Sequence, residues 1–205
     1  MTDHAIRTVD QLEALYDEPR PTSVLKELDH LSEDYQRFVS AASFMVLATV
    51  GEGGLDCSPR GEAAGVVTVL DARHLRLADR KGNNRLDSLR NIVADPRVAL
   101  LFLIPGINES MRVNGRARIS VEPDVLAALA VEGNVPRCVV EIEVDAAYFQ
   151  CSRAVLRSRL WDPDSRADRE ALPSCGQMLE QITKGEIAAD AYDDDLRVRV
   201  EGTLW

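Results

Sequence analysis

The chain has 205 residues, 45% of them hydrophobic and 28% charged, a composition suited to one globular domain with appendages or at most two small domains. Its 24 basic and 34 acidic side chains leave a formal charge of -10. That argues against a nucleic-acid partner and against an anionic membrane surface, because both need a broad basic footprint. No apolar run approaches the ~18 residues of a membrane-spanning helix.

The opening stretch MTDHAIRTVDQLEALYDE lacks the basic start and hydrophobic centre of a secretory signal. The four cysteines, at 57, 138, 151 and 175, show no CxxC spacing, so a cytoplasmic protein with reduced thiols is expected. The three histidines, His4, His30 and His74, all lie in the first 74 residues. A histidine metal cluster or catalytic triad has little to draw on, and no metal site is expected.

In chain order, Val9, Leu12, Leu15 and Tyr16 fall at helical spacing over residues 8–17, and Asp17 to Pro21 ends that helix. A second helical region, 22–42, places Leu25, Leu28, Leu31, Tyr35, Phe38 and Val39 on one broad face, with a break near Ser32. Residues 1–42 are therefore a helical lead-in, expected to cover the barrel that follows or the seam of a dimer.

The period then changes to that of strands. Six are predicted: FMVLATV (44–50), AGVVTVL (64–70), HLRLA (74–78), RVALLFLI (97–104), MRVNGRARIS (111–120) and CVVEIEV (138–144). Helices are predicted at 84–94, through Leu86, Leu89, Ile92 and Val93, and at 123–132, through Val125, Leu126 and Leu129. Six strands with short hairpin turns and few crossovers imply an antiparallel sheet closed into a barrel over residues 43–150.

Residues 151–205 return to helical spacing. Ala154, Val155 and Leu156 mark one helix, Met178, Leu179 and Ile182 a second, and Tyr192, Leu196, Val200 and Leu204 a third. The run Asp193–Asp195 reads as a helix surface.

Four stretches hold candidate chemistry. The first is LADRKGNNRLDSLRNI (77–92), where Asp79, Arg80 and Lys81 lead into a helix start at Asn84 and Arg85. Asn83 or Asn84 suits an N-cap, which aims free amides at the loop. A cation at Arg85 is unfavourable beside the positive end of a helix dipole, and a bound phosphate would compensate it. The alternative is that Asp79 and Asp87 neutralise the arginines on a solvated face. Neither a GxxxxGK[ST] loop nor a GxGxxG turn is present.

The second stretch is CSPRGE (57–62), where Pro59 and Gly61 open a strand beside Ser58 and Arg60. The third is MRVNGRARI, where Arg112, Asn114 and Arg116 share one face of a strand. The fourth is CSRAVLRSRLWDP, which sets Trp161 at a helix end, there either to pack or to act as a lid.

Taken in order, FMVLATV with SPRG, DRKGNNRLDSLRNI with DPRVALLFLIPG, RVNGRARI and CSRAVLRSRLWDP resemble the flavin-binding split-barrel family related to pyridoxamine 5'-phosphate oxidase. Within it the likeness is to the subgroup of FMN-dependent enzymes, over roughly residues 40–163. The resemblance implies a mainly β fold with flanking helices, a six-stranded antiparallel Greek-key split barrel. It also implies a homodimer that holds FMN at its interface and acts on a small molecule.

On that resemblance, Asp79, Arg80, Lys81, Asn84 and Arg85 hold the FMN phosphate, and Ser58, Pro59 and Arg60 line the ring. Glu109, Ser110, Arg112 and Trp161 approach from the second subunit. The family's namesakes contact substrate through an Arg-x-His pair near the C-terminus. Here that tail reads RSRLW, so a substrate other than a B6 vitamer is expected. A flavin store or sensor without turnover, a haem-binding relative and an F420-dependent relative remain alternatives.

Overall fold

The computed structural model describes residues 4–63 and 65–203. The expectations for Ala64 and Leu204 fall outside them. The lead-in forms three helices, α1 (Val9–Glu13), α2 (Pro21–Leu25) and α3 (Glu33–Ala41). The break expected near Ser32 is an N-cap, the Ser32 hydroxyl accepting the Tyr35 amide at 3.3 Å. Helix α3 packs on the sheet, and Leu31, Val39 and Ala42 are fully buried.

Seven strands follow: β1 (Phe44–Gly51), β2 (Gly54–Gly61), β3 (Thr68–Val69), β4 (His74–Ala78), β5 (Arg97–Leu103), β6 (Ser110–Ser120) and β7 (Val139–Gln150). The predicted count of six was short by β2. Gly54, Pro59 and Gly61 disguise it, yet it pairs with β1 along its whole length as an edge strand, where a proline is tolerated. The run 64–70 yields only the two residues of β3, because Val66 and Val67 enter the core as irregular chain.

All pairings are antiparallel, in the order β2-β1-β5-β6-β7-β4-β3. The meander β5-β6-β7 has β4 returned beside β7, which is a Greek key. The hydrogen-bonded ladder stays open, with β2 and β3 as edges. The sheet nonetheless curls, because the inward residues of β1, β4, β5, β6 and β7 meet in one core, among them Met45, Leu47, Leu75, Phe102, Val113 and Ile142. At the Asn114/Gly115 register shift β6 bends so closely over β7 that a Cβ at Gly115 would sit 2.1 Å from the Glu143 carbonyl oxygen.

Helix α4 (Asp87–Ala94) packs against β1 and β6, its Asn91 amide donating to Thr49 at 3.0 Å. The short α5 (Pro123–Ala128) sits in the β6–β7 connection, and α6 (Arg153–Ser158) follows β7. Helices α7 (Cys175–Ile182) and α8 (Ala189–Gly202) pack mainly on one another. Asp193 of the acidic run accepts the Gly176 amide at 2.8 Å, so that run does lie on a helix. No described helix is long and apolar enough to cross a membrane.

Candidate functional site

The sheet's curl leaves a cleft of about 520 Å³ between the inward edge of β2, the end of β4 and the start of α4. Eight of the predicted residues line it together: Ser58, Pro59, Arg60, Asp79, Arg80, Lys81, Asn84 and Arg85. The alternation of β2 explains one wall. Gly61, Pro59 and Cys57 face outward opposite Phe44, Val46 and Ala48, so Arg60, Ser58 and Asp56 turn in.

The turn after β4 forms the opposite wall. Helix α4 starts at Asp87, three residues later than predicted, and its N-cap is Leu86 rather than Asn83 or Asn84. Asn83 instead accepts the Arg85 amide through its side chain at 3.0 Å, a turn that competes with the helix. Asn84 and Leu86 both adopt left-handed backbone, with φ of 60° and 63°. For a leucine this is a costly conformation, of the kind that persists where surrounding structure enforces it.

Leu86 offers no side-chain cap, so the Asp87, Ser88 and Leu89 amides find no acceptor among the described residues. The three residues that carry these donors, at the positive end of the helix, line the cleft. Asp56 reaches the same end and accepts the Ser88 hydroxyl at 3.2 Å.

The cations of the turn have distinct duties. The Arg80 guanidinium grips Glu62 at 2.6 and 3.2 Å and donates to the Leu129 carbonyl at 2.8 Å. It therefore ties the end of β2 to the α5 region. Arg85 pairs with Asp87 at 2.8 Å on an exposed face, so its charge is answered locally, as the neutralisation alternative had it. Lys81 is exposed and makes no hydrogen bond or ion pair among the described residues. Arg60 curls back on its own strand, donating to the Ser58 hydroxyl and the Pro59 carbonyl at 2.5 and 2.8 Å.

Arg137 was not among the predicted residues. It precedes β7 in an unremarkable loop, yet it lines the cleft and donates to the Asn84 side chain at 3.1 Å. Asp79 is half-buried. Loss of solvent raises its pKa, and the charges of Arg60 and Arg137 partly oppose the rise. The buried Cys138 thiol, whose carbonyl accepts the Asp79 amide at 3.0 Å, is pushed up to about 11 by burial and then by Asp79.

The remaining predicted residues gather elsewhere. Trp161 donates its indole N–H to the Ile107 carbonyl at 2.7 Å, two residues before Glu109. Ser110 is buried at the start of β6. Arg112 lies on the outer face, its guanidinium 5.7 Å from the Tyr148 ring and 3.2 Å from that residue's hydroxyl. None of the four lines the cleft of its own chain. A second groove, about 460 Å³, is bounded by His74, Arg76, Arg118 and Glu141, and Glu141 bridges the two arginines at 3.1 and 2.6 Å.

A family model described as pyridoxamine 5'-phosphate oxidase matches residues 31–151. No curated protein gives a significant match. Among solved structures, the chain is similar to HupZ of Group A Streptococcus at 16% identity and a TM-score of 0.46, over 57% of this chain and 90% of that one. It is also similar to a Lactobacillus delbrueckii protein ascribed to pyridoxamine 5'-phosphate oxidase, at 23% identity and 0.48, over 60% and 98% of the two chains. An F420 reductase is similar at 22% identity and 0.43, over 58% and 98%.

Proposed function

The chain belongs to the pyridoxamine 5'-phosphate oxidase family, and on that premise we propose that it binds FMN in the cleft and serves as an FMN-dependent oxidoreductase for a small molecule. The observation that carries the proposal is the convergence of three unpaired amides at the start of α4 with the side chains of Lys81 and Arg137 on one lip. Amides at a helix start beside free cations are the donor set a phosphate monoester takes.

In this reading Lys81, Arg137 and the amides of Asp87, Ser88 and Leu89 hold the phosphate. Arg80, committed to Glu62, fixes the shape of the turn, and Asn84 orients Arg137. Arg85, paired with Asp87, stands at the exposed rim. Along the other wall, Ser58, Pro59 and Arg60 flank the ring. A bound flavin supplies hydride acceptance and donation.

The chain's part is orientation and charge. Arg60 offers a guanidinium where a reduced ring gathers negative charge, and Asp79 is a carboxylate held between two arginines. No protein nucleophile or acid–base pair is required, which suits a chain with three histidines. A homodimer completes the site, with Glu109, Ser110, Arg112 and Trp161 of a second copy closing over the ring.

Mass spectrometry of the small molecule released when the purified full chain is denatured tests the binding. FMN is expected, along with reduction by NADH or NADPH and reoxidation by oxygen. Release of no flavin, with no uptake of added FMN, overturns the proposal. Binding without any turnover reduces it to a flavin store or sensor, and a released deazaflavin would replace FMN by F420.

A further inference from the structure

The N-terminal arm makes no substantial contact with the rest of its own chain. Helices α1 and α2 make no extensive contact with any other element. Their large apolar side chains, Val9, Leu12, Leu15, Tyr16, Val24 and Leu25, are between 45% and 74% exposed. Val9 and Leu12 lie on α1, with Leu15 and Tyr16 in the turn beyond it, and exposed apolar side chains gathered in this way mark a contact surface.

The arm is held away from its own barrel. It is anchored from Lys26 onward, where the Lys26 carbonyl accepts the Tyr35 hydroxyl at 2.7 Å and Leu28 bridges Ala147 at 3.0 and 2.8 Å. Pro19 and Pro21 then stiffen the link between the two helices, with Arg20 between them extended at φ -60°, ψ 136°. An extended link of this kind resists folding back.

The barrel has an uncovered apolar face of its own. On the outside of β2, β1 and β5, Leu55, Phe44, Val46, Val50, Leu101 and Leu103 all point outward and are partly or largely exposed. Along its border stands Arg112 of β6, which meets only a tyrosine, whereas Arg97 of β5 is paired with Asp95. The arm is net acidic, its Asp10, Glu13, Asp17 and Glu18 outnumbering Arg7 and Arg20. Two uncovered apolar surfaces of opposite bordering charge, which do not meet within one chain, suit each other across two copies.

We propose that residues 4–25 are an exchange arm that seats on the outer β2-β1-β5 face of a second copy of this chain. The proposal rests on the homodimer reading above and adds the element that clasps it. Its charged border implies weaker association at high salt.

Sedimentation equilibrium of the full chain against Leu12→Glu/Leu15→Glu/Tyr16→Glu tests it. These side chains are largely exposed within the chain, so the variant should keep its circular dichroism spectrum while its dimer dissociation constant rises at least tenfold. Equal dimerisation of both proteins overturns the arm and leaves the dimer standing; a wild-type monomer at all concentrations overturns both.

Cross-linking locates the contact. In a full chain carrying Leu15→Cys, a short bifunctional thiol reagent should join position 15 to the native, outward-facing Cys57. In a mixture of light- and heavy-isotope chains those linked peptides should pair light with heavy. Links confined to single chains, or none to Cys57, overturn the proposal.

Discussion

Arg80→Ala separates the residue that shapes the cleft from the residues that would hold a ligand in it. The guanidinium places two N–H groups on Glu62, at 2.6 and 3.2 Å, and a third on the Leu129 carbonyl at 2.8 Å, with the paired side chains 17% and 14% exposed. Removing one partner from a fully buried pair costs about 3–5 kcal/mol, chiefly because the other charge is stranded. The residual exposure lets water reach Glu62, which brings the expectation down to about 2–3 kcal/mol.

For a chain of this size each kcal/mol lowers the melting temperature by about 2–4 °C, so a drop of about 4–12 °C is expected. Thermal unfolding followed by circular dichroism, without added ligand, measures it. Adding Glu62→Gln to Arg80→Ala removes the stranded charge and should recover at least about 1 kcal/mol. A single variant that melts with the wild type, or a double variant whose losses simply add, would refute this assignment of Arg80 to the fold.

The cleft and sheet give further expectations. Lys81→Ala and Arg137→Ala should each weaken FMN binding about tenfold or more in calorimetry, the value of one charge-assisted hydrogen bond, while riboflavin binding is unchanged. Equal losses for both ligands would take these residues off the phosphate. Gly115→Ala forces a Cβ to 2.1 Å from the Glu143 carbonyl oxygen and should cost at least about 2 kcal/mol in urea unfolding.

Asp79 titrates above its ordinary value in the folded chain, so the native state there binds the extra proton, and wild-type stability falls as pH rises through that raised pKa. Asp79→Asn should therefore be the more stable protein at neutral pH and match the wild type in acid; a gap that persists at low pH would contradict this. A thiol reagent at mildly alkaline pH should label Cys57, Cys151 and Cys175 and spare Cys138, which is buried with its pKa near 11.

The parts of the molecule legible in the sequence were those governed by a clear pattern. RVALLFLI is a continuous apolar run closed by a Pro-Gly turn and MRVNGRARIS alternates, and β5 and β6 fall within a residue of their predicted bounds. Strand β2 was hidden because its residues are held by a neighbour's ladder rather than by their own propensity. The start of α4 was misplaced because Asn83 and Asn84, good caps in isolation, bond within the preceding turn and push the N-cap to a strained Leu86. At the cleft, the β4–α4 turn announced itself by composition. Arg137 did not, because its part depends on the β4–β7 pairing that brings the approach to β7 beside the turn. The split of duties between Arg80, bound to Glu62, and Lys81, left free, is likewise a matter of tertiary distance.

The ladder also sets an order of assembly. Three units are local in the chain, the β1-β2 hairpin, the β3-β4 hairpin and the β5-β6-β7 meander. Two seams join them, Met45 opposite Phe102 and Leu77 opposite Val140, between partners far apart in sequence. Contacts of that range form slowly, because long loops must close first. The cleft has one wall on β2 and the other on β4, so it exists only once both seams are shut. A ligand held there would find nothing to bind on a half-assembled chain. It would leave the refolding rate alone and lengthen the lifetime of the native state instead.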